Sequence, residues 1–211
     1  MANIAVIGAS GKAGKNIVQE ALNRGHEVTA IVRDASKVAG IKASVLEKDL
    51  FDLTENDLRS FDVVINAFGA PAGKEYLHVD AGNVLIKALT GTEVRLIVVG
   101  GAGSLYVDEA KTTRVIDTPD FPDMFKPTAS NQAKNLEILQ GTTGLKWTFL
   151  SPSAEFALGR RTGKYQSGKD QLLVNSQGQS YVSYEDYAVA VVDEIENPQH
   201  IGERFTVVSE K

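Results

Sequence analysis

The clearest chemistry in the chain lies near the amino terminus. Gly8-Ala9-Ser10-Gly11-Lys12-Ala13-Gly14 has the spacing G-x-x-G-x-x-G. It follows the apolar run Ile4-Ala5-Val6-Ile7 and opens a segment of helical period. At such a junction each glycine has its own use. Gly8 permits a tight turn, Gly11 lets the backbone approach a pyrophosphate, and Gly14 lets helix and strand pack closely. The start of the helix then offers unpaired N–H groups and the positive end of a dipole to the phosphates. The plain alternative is a glycine turn that only packs well. A second signal is Arg33, which ends the β-branched run Val28 to Val32, with Lys37 four residues on. An acid at that junction would bind the ribose 2′-hydroxyl of NAD, whereas an arginine accommodates the 2′-phosphate of NADP. A guanidinium can fork onto a phosphate, so the junction points to NADP(H) in preference. Asp34 next door keeps NAD(H) open, and could instead pair with Arg33.

These residues need a scaffold, and the hydrophobic periodicity supplies one. Strand-length apolar runs at 4–7, 28–32, 63–65, 96–99 and 147–150, with a weaker one at 44–48, alternate with helical segments at 12–24, 79–89 and 131–140. Thr54 and Asp57 have capping-box spacing for a short helix. Near-continuous apolar strands are buried on both faces, and intervening helices provide the crossovers. The expected fold is therefore α/β: a single doubly wound (Rossmann) domain over residues 1–211, with a mostly parallel sheet in the order 3-2-1-4-5-6. A seventh strand is expected at 204–209, preceded by a helix at 184–196 of scaffold character. Residues 104–127, with three prolines, read as a long loop. Residues 151–182 read as a small C-terminal elaboration on the substrate side, with one short strand at 172–174.

Composition narrows the function classes. A net charge of −5 lacks the broad positive field that holds nucleic acid or anionic membrane. The absence of cysteine removes disulfides, thiol nucleophiles and thiolate metal sites. Three histidines make a histidine metal centre improbable, so no metal is expected. No apolar stretch is long enough to span a bilayer. A cytoplasmic protein, monomer or homodimer, acting on a small molecule is the expectation.

The segments IAVIGASGKAG, VTAIVRDASKV, EKDLFD, DVVINAFGA, LIVVGGAGS, WTFLSPS and YVSYEDYAVAVVDEI resemble the atypical short-chain dehydrogenases over nearly the whole chain. The resemblance is to their NAD(P)H-binding, NmrA-like group, which includes biliverdin reductase B and bacterial proteins named as putative NADH-flavin reductases. It implies that Ser10, Gly11, Lys12 and Ala13 line the pyrophosphate and that Arg33 and Lys37 face the 2′-phosphate. Asp49 and Leu50 would flank adenine. Ala67, Phe68 and Gly69 would contact the ribose side, and Gly101 to Ser104 and Pro152-Ser153 would lie near the nicotinamide.

Ordinary short-chain dehydrogenases carry a Tyr-x-x-x-Lys pair on the helix before the sixth strand. This chain reads Ser130-Asn131-Gln132-Ala133-Lys134 there. A serine hydroxyl is too weak an acid to replace tyrosine unaided. Lys134 reads equally as a plain surface lysine. Flavin reduction avoids the difficulty, because hydride transfer to a flavin needs orientation and water exclusion more than a side-chain acid. The resemblance thus implies an NAD(P)H-dependent oxidoreductase acting on a free flavin or similar planar acceptor, the flavin being substrate and not prosthetic group. The alternative is a non-catalytic, NADP(H)-binding redox sensor of the NmrA type. Candidate catalytic groups are Ser104, Ser153, His78 and Lys134. Arg160, Arg161, Lys164 and Tyr165 could grip an anionic tail of the acceptor, and Tyr106, Phe121, Met124 and Phe125 could stack on its ring. Solvated loop charge and loop packing are the competing readings.

Overall fold

Alternate residues of the first strand point into two different cores, and that division organises the molecule. A computed structural model describes residues 1–211. Its elements in chain order are β1 (Asn3–Ile7), α1 (Lys12–Asn23), β2 (Glu27–Val32), β3 (Ser44–Glu47), α2 (Glu55–Leu58), β4 (Val63–Asn66), α3 (Leu77–Leu89), β5 (Arg95–Val99), α4 (Lys126–Gln140), β6 (Lys146–Ser151), β7 (Glu155–Ala157), β8 (Gln166–Gly168), β9 (Tyr181–Ser183), α5 (Tyr184–Glu196) and β10 (Glu203–Val208). Ile4 and Val6 join a core closed by Ile17, Val18 and Ala21 of α1 and by Tyr187, Val191 and Ile195 of α5. Ala5 and Ile7 join the opposite core, closed by Leu58 of α2, Leu85 and Leu89 of α3, and Leu136 and Leu139 of α4. Period-two strands between two helical layers give this arrangement.

The sheet order is β3-β2-β1-β4-β5-β6-β10-β8. All neighbours are parallel except β8, which runs antiparallel to β10. This is the expected Rossmann order, with the seventh strand, β10, beside β6. β1 lies centrally, Val6 pairing with Ala30 on one side and Ile65 on the other. The chain therefore reverses direction across the sheet between β1 and β4, and a crevice opens there at the C-terminal strand ends. No helix is long and apolar enough to cross a membrane.

Three expectations are corrected. The short strand of the elaboration is Gln166–Gly168, not 172–174. Leu173 packs over Gly168 instead of extending the sheet. Helix α4 begins at Lys126, five residues early, because Pro127 sits in the first turn, where its missing N–H costs nothing. Helix α3 begins at Leu77, which puts His78 inside its first turn.

Helix α2 depends on its cap. The Asp57 carboxylate accepts from the Thr54 N–H and hydroxyl, both at 2.8 Å, and from Lys48 Nζ at 2.8 Å. These contacts, Lys48 foremost, pull its pKa from 3.8 to about 2. A depressed carboxylate pKa stabilises the fold above the ordinary value and is lost as pH falls through the folded value. Asp57→Asn should therefore cost about 1 kcal/mol at pH 7, read by urea unfolding. The gap from the parent should narrow between about pH 4 and pH 2. A gap independent of pH would show that the charge contributes nothing.

Candidate functional site

Gly14 sets the floor of the crevice. A Cβ there would lie 2.2 Å from the Gly8 carbonyl oxygen, so the first turn of α1 rests directly on the turn that follows β1. Gly8 has φ +75°, and a Cβ on it would meet the Ala67 carbonyl oxygen at 2.5 Å. Neither position accepts a side chain. The first turn of α1 has no side-chain cap and no acidic residue. Its N–H groups open into the cleft beside Ser10, Gly11, Lys12 and Ala13. Donors left free at a helix N-terminus, with the dipole behind them, fit a diphosphate.

The cleft holds about 590 Å³ and runs along the C-terminal ends of β1 to β5. That is within the usual range for small-molecule and cofactor sites. Arg33, Asp49, Leu50 and Phe51 line it beyond β2 and β3. Ala67, Phe68, Gly69 and His78 line its middle. Val99, Gly100, Thr128, Gln132, Phe156 and Tyr184 line the end beyond β5. Lys12, Arg33, Lys48 and Lys74 face a single carboxylate, Asp49, across this wall. A chain of net charge −5 thus concentrates positive charge where an anion would lie. Only Lys48 is neutralised, by Asp57.

The turn after β2 is built to present Arg33. The Asp34 carboxylate accepts from the Ser36 N–H at 3.0 Å and its hydroxyl at 2.6 Å. Glu47 accepts from the Ala35 N–H at 2.7 Å. Both acids are thereby committed to their own loop, and Asp34 does not pair with Arg33. Asp49 caps its own turn through the Phe51 N–H at 3.0 Å, leaving its second carboxylate oxygen free.

Not every expected residue reaches the cleft. Lys37 is exposed on the 3₁₀ turn Ala35–Val38, outside the lining, and Gly14 lies behind the floor. Gly101 is covered by Gln132, whose Oε1 lies 2.0 Å from where a Cβ would stand. The Ser153 hydroxyl is buried and donates to the Val207 carbonyl at 2.7 Å. Ser104 Oγ accepts from Arg204 at 3.0 Å, an arginine that also holds Asp170. Neither serine lines the cleft, and the Ser153 hydroxyl is spent on the fold. Lys134 is exposed and pairs with Glu137, which leaves it the surface lysine.

The basic-aromatic cluster is likewise structural. Arg161 forks onto Glu20 at 2.7 and 2.8 Å, Tyr165 donates to Asp193 at 2.8 Å, and Arg160 donates to the Lys211 carbonyl. Tyr106, Phe121, Met124 and Phe125 stand outside the cleft. Instead, α4 offers Thr128 and Gln132, which share the i, i+4 spacing of a Tyr-x-x-x-Lys pair but lie two residues earlier. Two residues are about 200° of helix rotation, which carries Ser130 and Lys134 to solvent. Tyr184 and Phe156 were also hidden in the sequence. The first is the opening residue of an acidic and apolar scaffold helix, and the second lies in the irregular elaboration.

His78 is 9% exposed, and its ring meets Phe68 edge-on at 5.9 Å. Burial pushes its pKa below the ordinary value of 6.5, and Glu75 opposes this only in part. The imidazole is therefore neutral at physiological pH.

A family model described as NAD(P)H-binding matches residues 8–198. The protein YwnB of Bacillus subtilis (strain 168) is 61% identical over 209 residues, covering 98% of each chain. A solved structure named a "putative NADH-flavin reductase", from Streptococcus pneumoniae TIGR4, is 48% identical, covers the whole of both chains and superposes with a TM-score of 0.95. A solved structure named a "putative epimerase", from Bacteroides thetaiotaomicron, is 36% identical, covers 99% of this chain and 97% of its own, and has a TM-score of 0.89.

The neutral His78 has a measurable consequence. Its folded pKa lies below the unfolded one, so its contribution to stability is complete above about pH 6.5 and declines as the pH falls through the folded value. His78→Phe keeps a ring against Phe68 and removes the titration. Urea midpoints between about pH 7.5 and 5 should fall less steeply for the variant than for the parent. Parallel curves would mean that the imidazole takes up its proton as readily folded as unfolded.

Proposed function

The chain belongs to the NAD(P)H-binding family, and we propose that it is a reductase passing hydride from NADPH to a free flavin or similar planar acceptor. The observation that carries this reading is the wall that α4 presents. Where alcohol–ketone chemistry calls for tyrosine and lysine, the cleft has Thr128 and Gln132, neither of them an acid at accessible pH. A planar acceptor that delocalises the incoming charge does not require one. The 48% identical relative named for NADH-flavin reduction supports the same reading.

The backbone N–H groups of Lys12 and Ala13 would hold the diphosphate, Gly11 would let it approach, and Ser10 would close over it. Arg33 would take the 2′-phosphate, since it lines the cleft and neither Asp34 nor Glu47, which bond the turn's own N–H groups, pairs with it. Asp49 and Leu50 would flank the adenine. Gly100, Thr128, Gln132 and Tyr184 at the β5 end would hold the nicotinamide, which would supply the hydride. Gly100, at that end of the lining, has no room for a side chain because Phe149 of the core packs against it. Phe68, Leu77 and Phe156 keep water from the transfer path. The same lack of an acid also suits an NADP(H) sensor without catalysis. Tight NADPH binding with no oxidation by any flavin or quinone would select that second reading.

Arg33→Ala should weaken NADPH binding by about 1.5–3 kcal/mol and NADH binding much less, by fluorescence titration. Equal losses would mean that Arg33 stacks on adenine without choosing between cofactors.

Ser130→Ala and Lys134→Ala should each keep turnover with FMN within about tenfold of the parent, or ~1.4 kcal/mol of barrier. A loss beyond about a hundredfold in either would restore the helix-borne pair to the chemistry.

A further inference from the structure

Of the six tyrosines in the chain, only Tyr184 lines the cleft. It does so at the β5 end, beside Gly100, Thr128 and Gln132. We propose that Tyr184, packed against Phe156, is the residue that binds the acceptor, donating its phenolic O–H as a hydrogen bond to the atom that gains negative charge as hydride arrives. The proposal rests on the reductase reading and names the contact that reading lacks.

Three observations carry it. The first is rigid placement. Tyr187 is fully buried and donates to the Leu150 carbonyl at 2.7 Å. Phe156 packs on it at 4.7 Å between ring centroids, and Tyr184 packs on Phe156 at 4.1 Å. A column of three rings thus runs from the core to the cleft wall. The backbone is held as firmly, because β7 pairs with β9 through Phe156 and Val182. Ser183 then caps α5 by accepting from the Asp186 N–H at 2.9 Å.

The second observation is an unspent hydroxyl. The Tyr165 and Tyr187 hydroxyls are committed to Asp193 and to Leu150. No side chain or backbone group bonds the Tyr184 hydroxyl, and desolvation alone acts on its ionisation. A half-buried phenol without a protein partner on a cofactor-sized cleft is a donor free to bond a ligand there.

The third is chemical fit. Desolvation raises the phenol above its ordinary value of 10, so it stays protonated across the physiological range. It is too weak an acid to give its proton to a reduced flavin, but it is a full-time donor to a carbonyl or ring nitrogen that becomes anionic. The carbon–hydrogen bond of the nicotinamide breaks with its electron pair, a new bond to hydrogen forms on the acceptor, and the acceptor leaves as an anion that takes any proton from water. No further reactant is needed. Phe156 and Tyr184 both line this end of the cleft, and an aromatic edge or face there suits a planar ring system.

The test compares the parent, Tyr184→Phe and Phe156→Leu, each checked by thermal unfolding. Riboflavin is the probe, because it has no phosphate to bind elsewhere. Its fluorescence is titrated with NADP⁺-saturated protein, and NADPH oxidation with riboflavin is followed separately. Tyr184→Phe keeps the ring, so its unfolding temperature should match the parent's. Its riboflavin affinity should fall about fivefold or more, and kcat/KM about 10- to 100-fold. NADPH affinity should stay within about twofold, and the kcat/KM profile between about pH 6 and 9 should keep its shape. Phe156→Leu should lose riboflavin affinity as well. Riboflavin binding and turnover that are unchanged in Tyr184→Phe overturn the proposal. So does a parent that does not bind riboflavin, or an NADPH affinity that falls as far as riboflavin's. Loss of a pH limb in Tyr184→Phe would make it a proton donor and overturn the hydrogen-bond account. Weakened riboflavin binding in Tyr184→Phe, with no NADPH oxidation even by the parent, would leave the contact standing and defeat the reductase reading instead.

Discussion

The site depends on one contact, the approach of α1 to the turn after β1. Gly14 rests so close to the Gly8 carbonyl that a methyl group would have to share its space. The contact does three things together. It points the free N–H groups of α1 along the crevice and sets the positive end of the helix dipole on the crevice floor. It also keeps β1 central, between β2 and β4, so the crevice lies where the strand order reverses. Gly8, pressed against Ala67 at the end of β4, closes the floor on the other side. Backbone, rather than side chains, forms this part of the site.

Around that floor the fold spends its acids away from the cleft. Glu20 receives Arg161 and Arg24, Asp186 receives the N–H and hydroxyl of Thr162 and the N–H of Gly163, and Asp193 receives Tyr165. These contacts fasten the elaboration to α1 and α5. They consume Arg161 and Tyr165, which might otherwise be read as part of a substrate clamp. What they hold in place is Phe156, and through it Tyr184. The cleft itself keeps Lys12, Arg33 and Lys74 without an acidic partner at its mouth and neutral groups at the β5 end. Positive charge and an uncharged stretch are thereby separated along one groove. A dinucleotide with phosphates at one end and a nicotinamide at the other calls for that gradient.

The sheet order and the glycine loop could be read from residues alone because both are local. Ile4 to Ile7, Val28 to Val32 and Leu96 to Val99 are buried on both faces, and period and composition suffice to find such strands. The edge strand Gln166–Gly168 has no apolar pattern, being made by its pairing with β10. Leu172 to Val174 looked like a strand because they are apolar, yet Leu173 spends its side chain on Gly168. On α4, the rotation that turns Thr128 and Gln132 to the cleft follows from Ala129, Ala133, Leu136 and Leu139 facing the core. The apolar period of α4 carries that signal, and the Tyr-x-x-x-Lys pattern falls two residues out of register with it. Ser104 and Ser153 were placed at the correct strand ends. Their hydroxyls are taken by partners a hundred and 54 residues distant in sequence, and such long-range pairing leaves no trace in local spacing.

The central claim is that backbone donors at the start of α1 hold a dinucleotide phosphate. Gly11 tests it most directly, because its backbone is extended, φ −76° and ψ 171°, and open to any residue. Its Cβ would sit 3.3 Å from the Gly8 carbonyl, a tight but adjustable contact. NADPH fluorescence titrated into the parent and into Gly11→Leu, with unfolding temperatures measured in parallel, separates binding from folding. The account predicts a folded variant whose NADPH affinity falls about a hundredfold or more, roughly 2.7 kcal/mol, because the side chain occupies the diphosphate's approach. A folded Gly11→Leu protein that binds NADPH as tightly as the parent would contradict it.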